Sequence, residues 1–347
     1  MPGRFHACAA ALAFAAAGLV ASIVPAMAQT PDGYFKGRQV LLLVGGTAGG
    51  GIDLGARLLA RYFGKYLPGN PNVQVQDFPG AGGVRLLEHL IQVAPRDGTT
   101  IGAFAIGPLL EPMVGGRKIT YSMTDFTAVG ALEKDVTFCA TWSTSPSKTL
   151  DDVRARVTTV AGTGAGSNTD IEPMVLNEVL GTRFKVVTGY LGTQETLVAV
   201  ERGEVDGRCG FGWLNLNAAK PDWLPARKLN LLVQIALEKH PKLPGMPLAL
   251  DLAKNEPDRQ LLRLLAAPLS LSRPYLAPPG LPADRAAEIR KAFIDAVSDD
   301  GFKADFAKTT AGELPEPTDG ATMQKVIATM YAVPKDVSDR LRKIVTP

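Results

Sequence analysis

The stretch from Gln39 to Leu59 constrains the fold of this chain more than any other. Residues 40–44 (Val-Leu-Leu-Leu-Val) form a short aliphatic run closed by glycines, which predicts a buried strand. Residues 45–51 have almost no side chains, and apolar residues then recur at helical spacing from Ile52. This order of strand, glycine loop and helix brings together unpaired backbone N–H groups and the positive end of a helix. It predicts a cradle for an anion.

The first 28 residues have the pattern of a secretory signal peptide. Arg4 supplies the positive charge, residues 9–24 are uncharged and rich in alanine, and Ala-Met-Ala at 26–28 is a cleavage motif. The apolar run of about 16 residues is shorter than the roughly 18 to 20 that a spanning helix needs. We therefore expect export, with cleavage after Ala28.

Length and charge narrow the class of protein further. Without the signal peptide about 320 residues remain, a length typical of two domains. The formal charge of the whole chain is +3 and no basic run occurs, so we expect no nucleic-acid partner. Export permits a disulfide between Cys139 and Cys209, although two separate buried thiols explain the sequence equally well.

The pattern of strand, glycine loop and helix recurs along the chain. A second strand at 73–78 precedes a glycine loop at 79–83 and another helix, and a third strand follows at 99–106. This alternation is typical of a parallel α/β domain, in which ligands bind at the carboxyl ends of the strands. A second set of such units begins near residue 128 and has its own glycine loop at 162–168. The sequence therefore predicts an α/β fold of two Rossmann-like lobes that close on a ligand by hinge motion.

The two lobes are predicted to divide the chain unevenly. Lobe 1 comprises residues 29–132 and 266–347, and lobe 2 comprises residues 133–265. The hinge is expected near 130–136 and 261–267. Helices predicted from residue 283 onward return to pack on lobe 1.

The strongest candidate site is the loop of the first unit, because three glycines exceed what a turn requires. It does not match the dinucleotide-binding spacing or a P-loop. The first-turn carboxylate of Asp53 is expected either to favour the helix dipole or to contact the ligand. The candidate contacts here are Thr47, Ala48, Gly49, Gly50, Gly51 and Asp53.

Two further glycine loops are candidates for the same ligand. In the second loop the candidates are Gly80, Ala81 and Gly82. In the third they are Gly166, Ser167, Asn168 and Thr169, for which helix N-capping is the alternative interpretation. The looser candidates are Tyr190, Thr193 and Arg208. An arginine could pair with a carboxylate, but it more often carries a solvated charge.

The sequence gives little support for catalysis. Beyond the signal peptide only His89 and His240 remain, and neither belongs to a metal-binding spacing. A GxSxG nucleophile motif and a CxxC pair are both absent from the sequence. The sequence therefore favours binding over chemistry, and we expect no enzyme activity, no catalytic residues, no cofactor and no metal.

Four segments, in this order and spacing, resemble one known family. They are VGGTAGGGIDLGARLLARYF, VQDFPGAGGVRLLEHLIQVAPRDGTTIG, VVTGYLGTQETLVAVERGEVDG and PYLAPPGLPADRAAEIRKAF. With the signal peptide, they resemble the Bug-type solute receptors of tripartite tricarboxylate transporters. The resemblance implies a two-lobed periplasmic-binding-protein fold and a monomer in the periplasm. It also implies a receptor that captures a small organic acid, a di-, tri- or aromatic carboxylate, and delivers it to the membrane permease subunits of the transporter.

The resemblance also implies which residues contact the ligand. Family members hold a carboxylate with the two first-lobe loops, often through water molecules, which corresponds here to 47–51 and 80–82. The second-lobe contacts correspond to 166–169, Tyr190 and Asp206. The chain departs from the family in the first loop, which lacks the usual aromatic residue and prolines, and in the third loop, which lacks the usual histidine. These changes affect the wall of the pocket.

Two other functions are compatible with the sequence. One is an exported α/β enzyme, such as a hydrolase that acts on a carboxylated substrate, which a catalytic dyad in the crevice would favour. The other is a ligand sensor for a membrane kinase, which the neighbouring genes would distinguish from an uptake receptor.

Overall fold

The computed structural model describes residues 33–114, 119–164 and 166–345. The predicted signal peptide and its cleavage site lie outside these residues. The strands are β1 (Gln39–Val44), β2 (Asn72–Asp77), β3 (Thr100–Ala103), β4 (Thr127–Glu133), β5 (Thr137–Trp142), β6 (Thr158–Gly162), β7 (Phe184–Thr188), β8 (Gly207–Gly212), β9 (Leu229–Ile235), β10 (Ser272–Ala277) and β11 (Thr318–Asp319). The helices are α1 (Gly51–Tyr66), α2 (Val84–Gln92), α3 (Gly107–Val114), α4 (Leu150–Ala155), α5 (Asn168–Leu180), α6 (Thr193–Glu201), α7 (Trp213–Ala219), α8 (Glu256–Ala266), α9 (Ala283–Ser298), α10 (Asp300–Thr309), α11 (Gly320–Tyr331) and α12 (Lys335–Val345). Of the helices described, none is long and apolar enough to cross a membrane.

The strands form two mixed sheets, each with helices packed against it. The six-stranded sheet has the order β11-β4-β10-β3-β1-β2 and, with its helices, is the first lobe. The five-stranded sheet has the order β7-β6-β8-β5-β9 and, with its helices, is the second lobe. The predicted α/β fold of two lobes is therefore confirmed. The prediction of a parallel first sheet holds only for β1, β2 and β3, because β10 and β11 pair antiparallel with their neighbours.

Apolar periodicity explains the first unit of this fold. Val40, Leu42 and Val44 of β1 are fully buried, and α1 covers the sheet with an apolar face that includes Leu59 and Phe63. A larger cluster of buried side chains continues from the first lobe into the second through α3, α5, α8 and α12. The two lobes therefore share part of their hydrophobic core.

A disulfide joins two neighbouring strands of the second sheet. Cys139 on β5 is bonded to Cys209 on the neighbouring strand β8, so the open question of the two thiols is answered in favour of the disulfide. The close approach of these strands also requires glycine at position 207, because a Cβ there would lie 2.1 Å from the carbonyl oxygen of Ala140.

The chain crosses between the lobes at two adjacent segments. β4 ends at Glu133 and β5 begins at Thr137, and the chain returns through a 3₁₀ turn at 267–271. The N–H of Asp135 donates to the carbonyl of Leu269 over 2.9 Å, so the two crossings touch. The second crossing lies beyond most of the predicted 261–267, because residues 261–266 are the last residues of α8. The domain boundaries at 132/133 and 265/266 stay a prediction.

Helix α12 contacts both lobes. It packs against α3 of the first lobe and against α5 and α8 of the second. Arg340 of α12 pairs with Asp258 of α8 at 2.8 Å and with Glu178 of α5 at 3.2 Å.

Candidate functional site

The loop of the first unit leaves a helix N-terminus open at the carboxyl end of β1. The N–H of Gly50 donates to the carbonyl of Thr47 over 3.1 Å, which folds the loop into a turn. Gly50 then precedes the first residue of α1 and supplies no side chain that could cap it. Thr47, Ala48, Gly49, Gly50 and Gly51 are exposed. The first-turn N–H groups have no acceptor within the helix, so this end of α1 is free to receive an anion.

Asp53 supports this loop from inside rather than facing the cleft. Its side chain is 1% exposed, and one oxygen accepts the N–H of Gly49 over 2.7 Å. Its other oxygen lies 2.7 Å from Nε of Arg57. Burial opposes ionisation, yet Arg57 and the Gly49 N–H outweigh it and hold the pKa of Asp53 below its usual value. The geometry therefore favours the helix-end role over a direct ligand contact.

The second glycine loop lies beside the first. Gly80, Ala81 and Gly82 have positive φ angles of 147°, 51° and 67°, so the backbone turns sharply before α2. A Cβ on Gly45 would lie 3.1 Å from Cα of Gly83, and only glycines allow the two loops to approach so closely.

The guanidinium of Arg57 links the first and second glycine loops. In addition to its contact with Asp53, its Nη2 lies 3.4 Å from Oδ2 of Asp77, the last residue of β2 before the second loop. Burial and the neighbouring Asp53 carboxylate raise the pKa of Asp77. Two carboxylates and one guanidinium thus fix the relative position of the loops.

The third loop is organised by a buried carboxylate that the sequence analysis did not select. Asp170 accepts the Gly164 N–H at 3.3 Å with one oxygen and the Thr188 hydroxyl at 3.0 Å with the other. The hydroxyl of Thr169 accepts the N–H of Thr163 over 2.9 Å. An aspartate in the first turn after a glycine loop, as at position 53, is the signal that could have identified it. Thr169 is therefore a structural partner of the loop as well as a candidate contact.

The remaining candidates of the second lobe separate into two groups. Tyr190 lies near the third loop, because its N–H donates to the carbonyl of Gly162. Asp206 lies at the opposite, amino end of β6, where its carboxylate accepts the N–H and hydroxyl of Thr159 over 2.8 and 2.7 Å. The prediction that Asp206 contacts the ligand does not fit this position, because a ligand at the carboxyl ends of the strands cannot reach it.

The open helix ends of the two lobes face each other. The start of α1 faces the start of α6, at Thr193 and Gln194, across a cavity between the lobes. Nearby, Gly107 at the start of α3 faces Gly166 and Asn168 across a narrow gap. Helices α1, α5 and α6 have no side-chain cap, which is also true of α2, α7 and α9, whereas α4, α8, α10 and α11 are capped by Thr149, Asn255, Asp299 and Asp319. The uncapped starts of α1 and α6 lie on opposite walls of the first of these cavities, an arrangement suited to an anionic ligand.

Two buried ionisable side chains, Glu172 and Arg208, lie behind the second-lobe wall. Glu172 of α5 is 1% exposed and accepts the hydroxyl of Thr137 over 2.7 Å. Burial raises the pKa of Glu172 to about 8, although Thr137 and the charge of Arg208 oppose the rise. Arg208 donates to the hydroxyl of Thr196 and to the carbonyl of Gly210, and burial lowers its pKa to about 10. The side chain of Arg208, a looser candidate, is thus engaged in hydrogen bonds within its own lobe.

Comparisons with known proteins agree with this architecture. No family model matches the chain. A curated relative, the UPF0065 protein in the gbd 5' region of Cupriavidus necator, is 39% identical over 106 residues, which span 30% of this chain and 31% of that protein. The chain therefore matches only about a third of the relative's length.

Solved structures match over most of the chain. A TctC solute-binding protein from Polaromonas superposes with a TM-score of 0.67 at 18% identity, covering 88% of this chain and 100% of the other. MatC from Rhodopseudomonas palustris, solved with bound malate, superposes with a TM-score of 0.61 at 22% identity, covering 88% and 99%. The chain therefore has the two-lobed fold of these solute-binding proteins, which confirms the predicted fold.

Proposed function

We propose that this protein is a periplasmic receptor of the Bug type, which captures a small organic carboxylate and delivers it to the permease subunits of a tripartite tricarboxylate-type transporter. It acts as a monomer and as a binding protein rather than an enzyme. Support comes from the shared fold, from the sequence segments that resemble the family, and from a structural neighbour that holds malate.

The observation that carries the proposal is the paired glycine loops at the open start of α1. A carboxylate placed there receives backbone N–H groups that no side chain caps, together with the positive end of a sixteen-residue helix. The exposed loop residues can approach a ligand closely because glycine has no Cβ.

The proposed contacts come from both walls of the cleft. In the first lobe they are Thr47, Ala48, Gly49, Gly50, Gly51, Gly80, Ala81 and Gly82. In the second lobe they are Gly166, Ser167, Asn168, Thr169 and Tyr190. Asp53 supports the first loop. Closure about the crossings at 134–136 and 267–271 brings the second set onto a ligand that the first set already holds.

A thermal-shift screen of the chain from Gln29 onward tests this proposal. The panel contains mono-, di-, tri- and aromatic carboxylates, each paired with its amide. A ligand at one hundred times its Kd adds about 2.7 kcal/mol to the free energy of unfolding, which is readily detected. We expect at least one acid to raise the Tm while its amide does not, and mass spectrometry to recover that acid unchanged.

Two matched variants locate the binding. Gly50→Asp places a negative charge in the loop and is expected to abolish the shift. Gly245→Asp is the control, because Gly245 lies in an exposed turn of the second lobe with open space around its Cα. A panel in which no acid raises the Tm, or in which Gly50→Asp binds as wild type does, would refute the proposal. Consumption of the stabilising acid would favour the enzyme instead.

A further inference from the structure

A cavity of about 530 Å³ lies between the lobes, next to the start of α1. The first lobe contributes Gly51, Glu133 and Arg273, and the second contributes Thr193, Gln194 and Asn215. The three second-lobe side chains are exposed and polar. The cavity therefore continues the glycine-loop site toward the crossing segments, with hydrogen-bonding groups on both walls.

Glu133 lines this cavity, and one of its carboxylate oxygens is unsatisfied within the part of the chain that is described. The residue is 4% exposed, and its Oε1 lies 3.3 Å from both the hydroxyl of Ser272 and Nε of Arg273. Its Oε2 is buried and has no hydrogen-bond partner among the described residues. Burial raises the pKa of Glu133 to about 7, while Arg273 opposes the rise and Asp135 adds to it. A buried carboxylate oxygen without a donor is costly, and a ligand N–H group would satisfy it.

Arg273 presents the complementary charge. Only its Nε faces Glu133, and its two terminal amino groups have no ion-pair or hydrogen-bond partner in the part of the chain that the structure describes. Nη2 lies 3.7 Å from the position that a Cβ on Gly51 would occupy, so the guanidinium sits against the start of α1. A carboxylate bound there would contact the helix start and the guanidinium together.

We propose that this cavity binds an amino-carboxylate, with the ligand's ammonium group on Oε2 of Glu133 and its carboxylate between the start of α1 and Arg273. The inference rests on the proposed function and names the class of ligand for that site. A simple acid would use Arg273 and the helix start but would leave the oxygen of Glu133 without a donor. An amino acid satisfies both charges, and Gln194 and Asn215 remain available for its other polar atoms.

Isothermal titration calorimetry with probe pairs that differ only in the amino group tests the inference. The pairs are propionate with alanine, succinate with aspartate, and glutarate with glutamate. β-Alanine and 3-aminoglutarate are added as probes in which the amino group lies one carbon further along the chain. We expect the aminated member of at least one pair to bind at least about tenfold more tightly, the ratio that one charge-assisted hydrogen bond supplies.

Glu133→Gln assigns that preference to the cavity. The amide retains the shape and the contact with Ser272 but removes the charge, so the variant should lose at least about tenfold in affinity for the aminated probe and little for its partner. Gln194→Ala, at an exposed position of the opposite wall, tests the same cavity without disturbing the buried pair. Circular dichroism confirms that both variants are folded.

The outcomes separate this inference from the proposed function. If simple acids bind and their aminated partners bind equally or more weakly, the receptor stands and the amino-carboxylate site is refuted. If Glu133→Gln weakens both members of a pair equally, the inference is also refuted. If no acid of either kind binds, both the receptor and the inference fail.

Discussion

Replacing Glu172 by glutamine should change how the stability of the protein depends on pH. In the folded chain the neutral carboxyl is favoured, because burial raises its pKa from 4.5 to about 8. The unfolded chain releases this proton above pH 4.5, whereas the folded chain retains it until about pH 8. The stabilising contribution is therefore complete below pH 4.5 and is lost as the pH rises toward 8.

The magnitude follows from the size of the shift. One pKa unit corresponds to about 1.36 kcal/mol, so the wild-type protein should lose about 3 kcal/mol of unfolding free energy from this group between pH 4.5 and 7. Solvent screening reduces this little, because Glu172 is 1% exposed. Glutamine at 172 can still accept the hydroxyl of Thr137 but cannot ionise. Relative to the wild type, the variant should gain about 3 kcal/mol over that pH range.

Urea denaturation at half-unit steps from pH 4.5 to 8 measures this difference. The quantity to compare is the difference in unfolding free energy between the variant and the wild type at each pH. Glu133 and Asp135, with pKa values of about 7 and 6, titrate in the same range and contribute to both curves alike. Glu204→Gln, at an exposed position of the same lobe, is the control and should run parallel to the wild type. A Glu172→Gln difference that stays constant within about 0.5 kcal/mol across this range would show that burial does not control this carboxyl.

Three further predictions concern the supports of the site. Gly210→Ala should weaken ligand binding, because the new Cβ would lie 3.1 Å from the backbone N of Thr169 in the third loop. Gly203→Ala is the control, since Gly203 has a similar φ of +72° and open space around it. That variant should lose only about 1 kcal/mol of unfolding free energy to backbone strain and should bind the ligand normally. Asp53→Asn should lower the unfolding free energy by about 1–3 kcal/mol at pH 7, and less as the pH falls through the depressed pKa of Asp53, measured by urea denaturation. Replacing both disulfide cysteines by alanine should cost about 4 kcal/mol for a loop of 70 residues, again by denaturation, while leaving the cleft intact.

The sequence predicted those parts of the fold whose local pattern agrees with their place in it. The aliphatic run of β1, the amphipathic face of α1 and the glycine loops all carry their own signal. Prediction from the sequence omits β8 (Gly-Arg-Cys-Gly-Phe-Gly), because its glycines resemble a turn. Gly207 is required where the strand packs closely on β5, and Gly210 where it meets the start of α5. It also omits α8, although Asn255 caps the first turn of this helix and its buried leucines lie at helical spacing. β10 is not predicted either, because Pro274 within the strand is a weak strand signal.

The candidate site was predictable to a similar extent. The backbone cradle could be found because glycines mark it, and the roles of Glu133 and Arg273 could not. These two residues lie 140 positions apart in the chain and meet only where the two crossings pass. Asp206 was assigned to the ligand from a resemblance, and only the strand direction of β6 reveals that it lies at the other end of the sheet.

The position of α12 has a mechanical consequence for such a receptor. Two peptide crossings side by side resist bending weakly, but a helix seated on both lobes away from that axis adds stiffness to the joint. Any rotation of the lobes must shift α12 across α3 or across the pair of α5 and α8, where Arg340 holds it by two ion pairs. The energy of that displacement adds to the cost of the proposed change between open and closed shapes. We therefore expect a substitution at Arg340 to alter ligand affinity by changing the population of closed molecules, without any contact with the ligand.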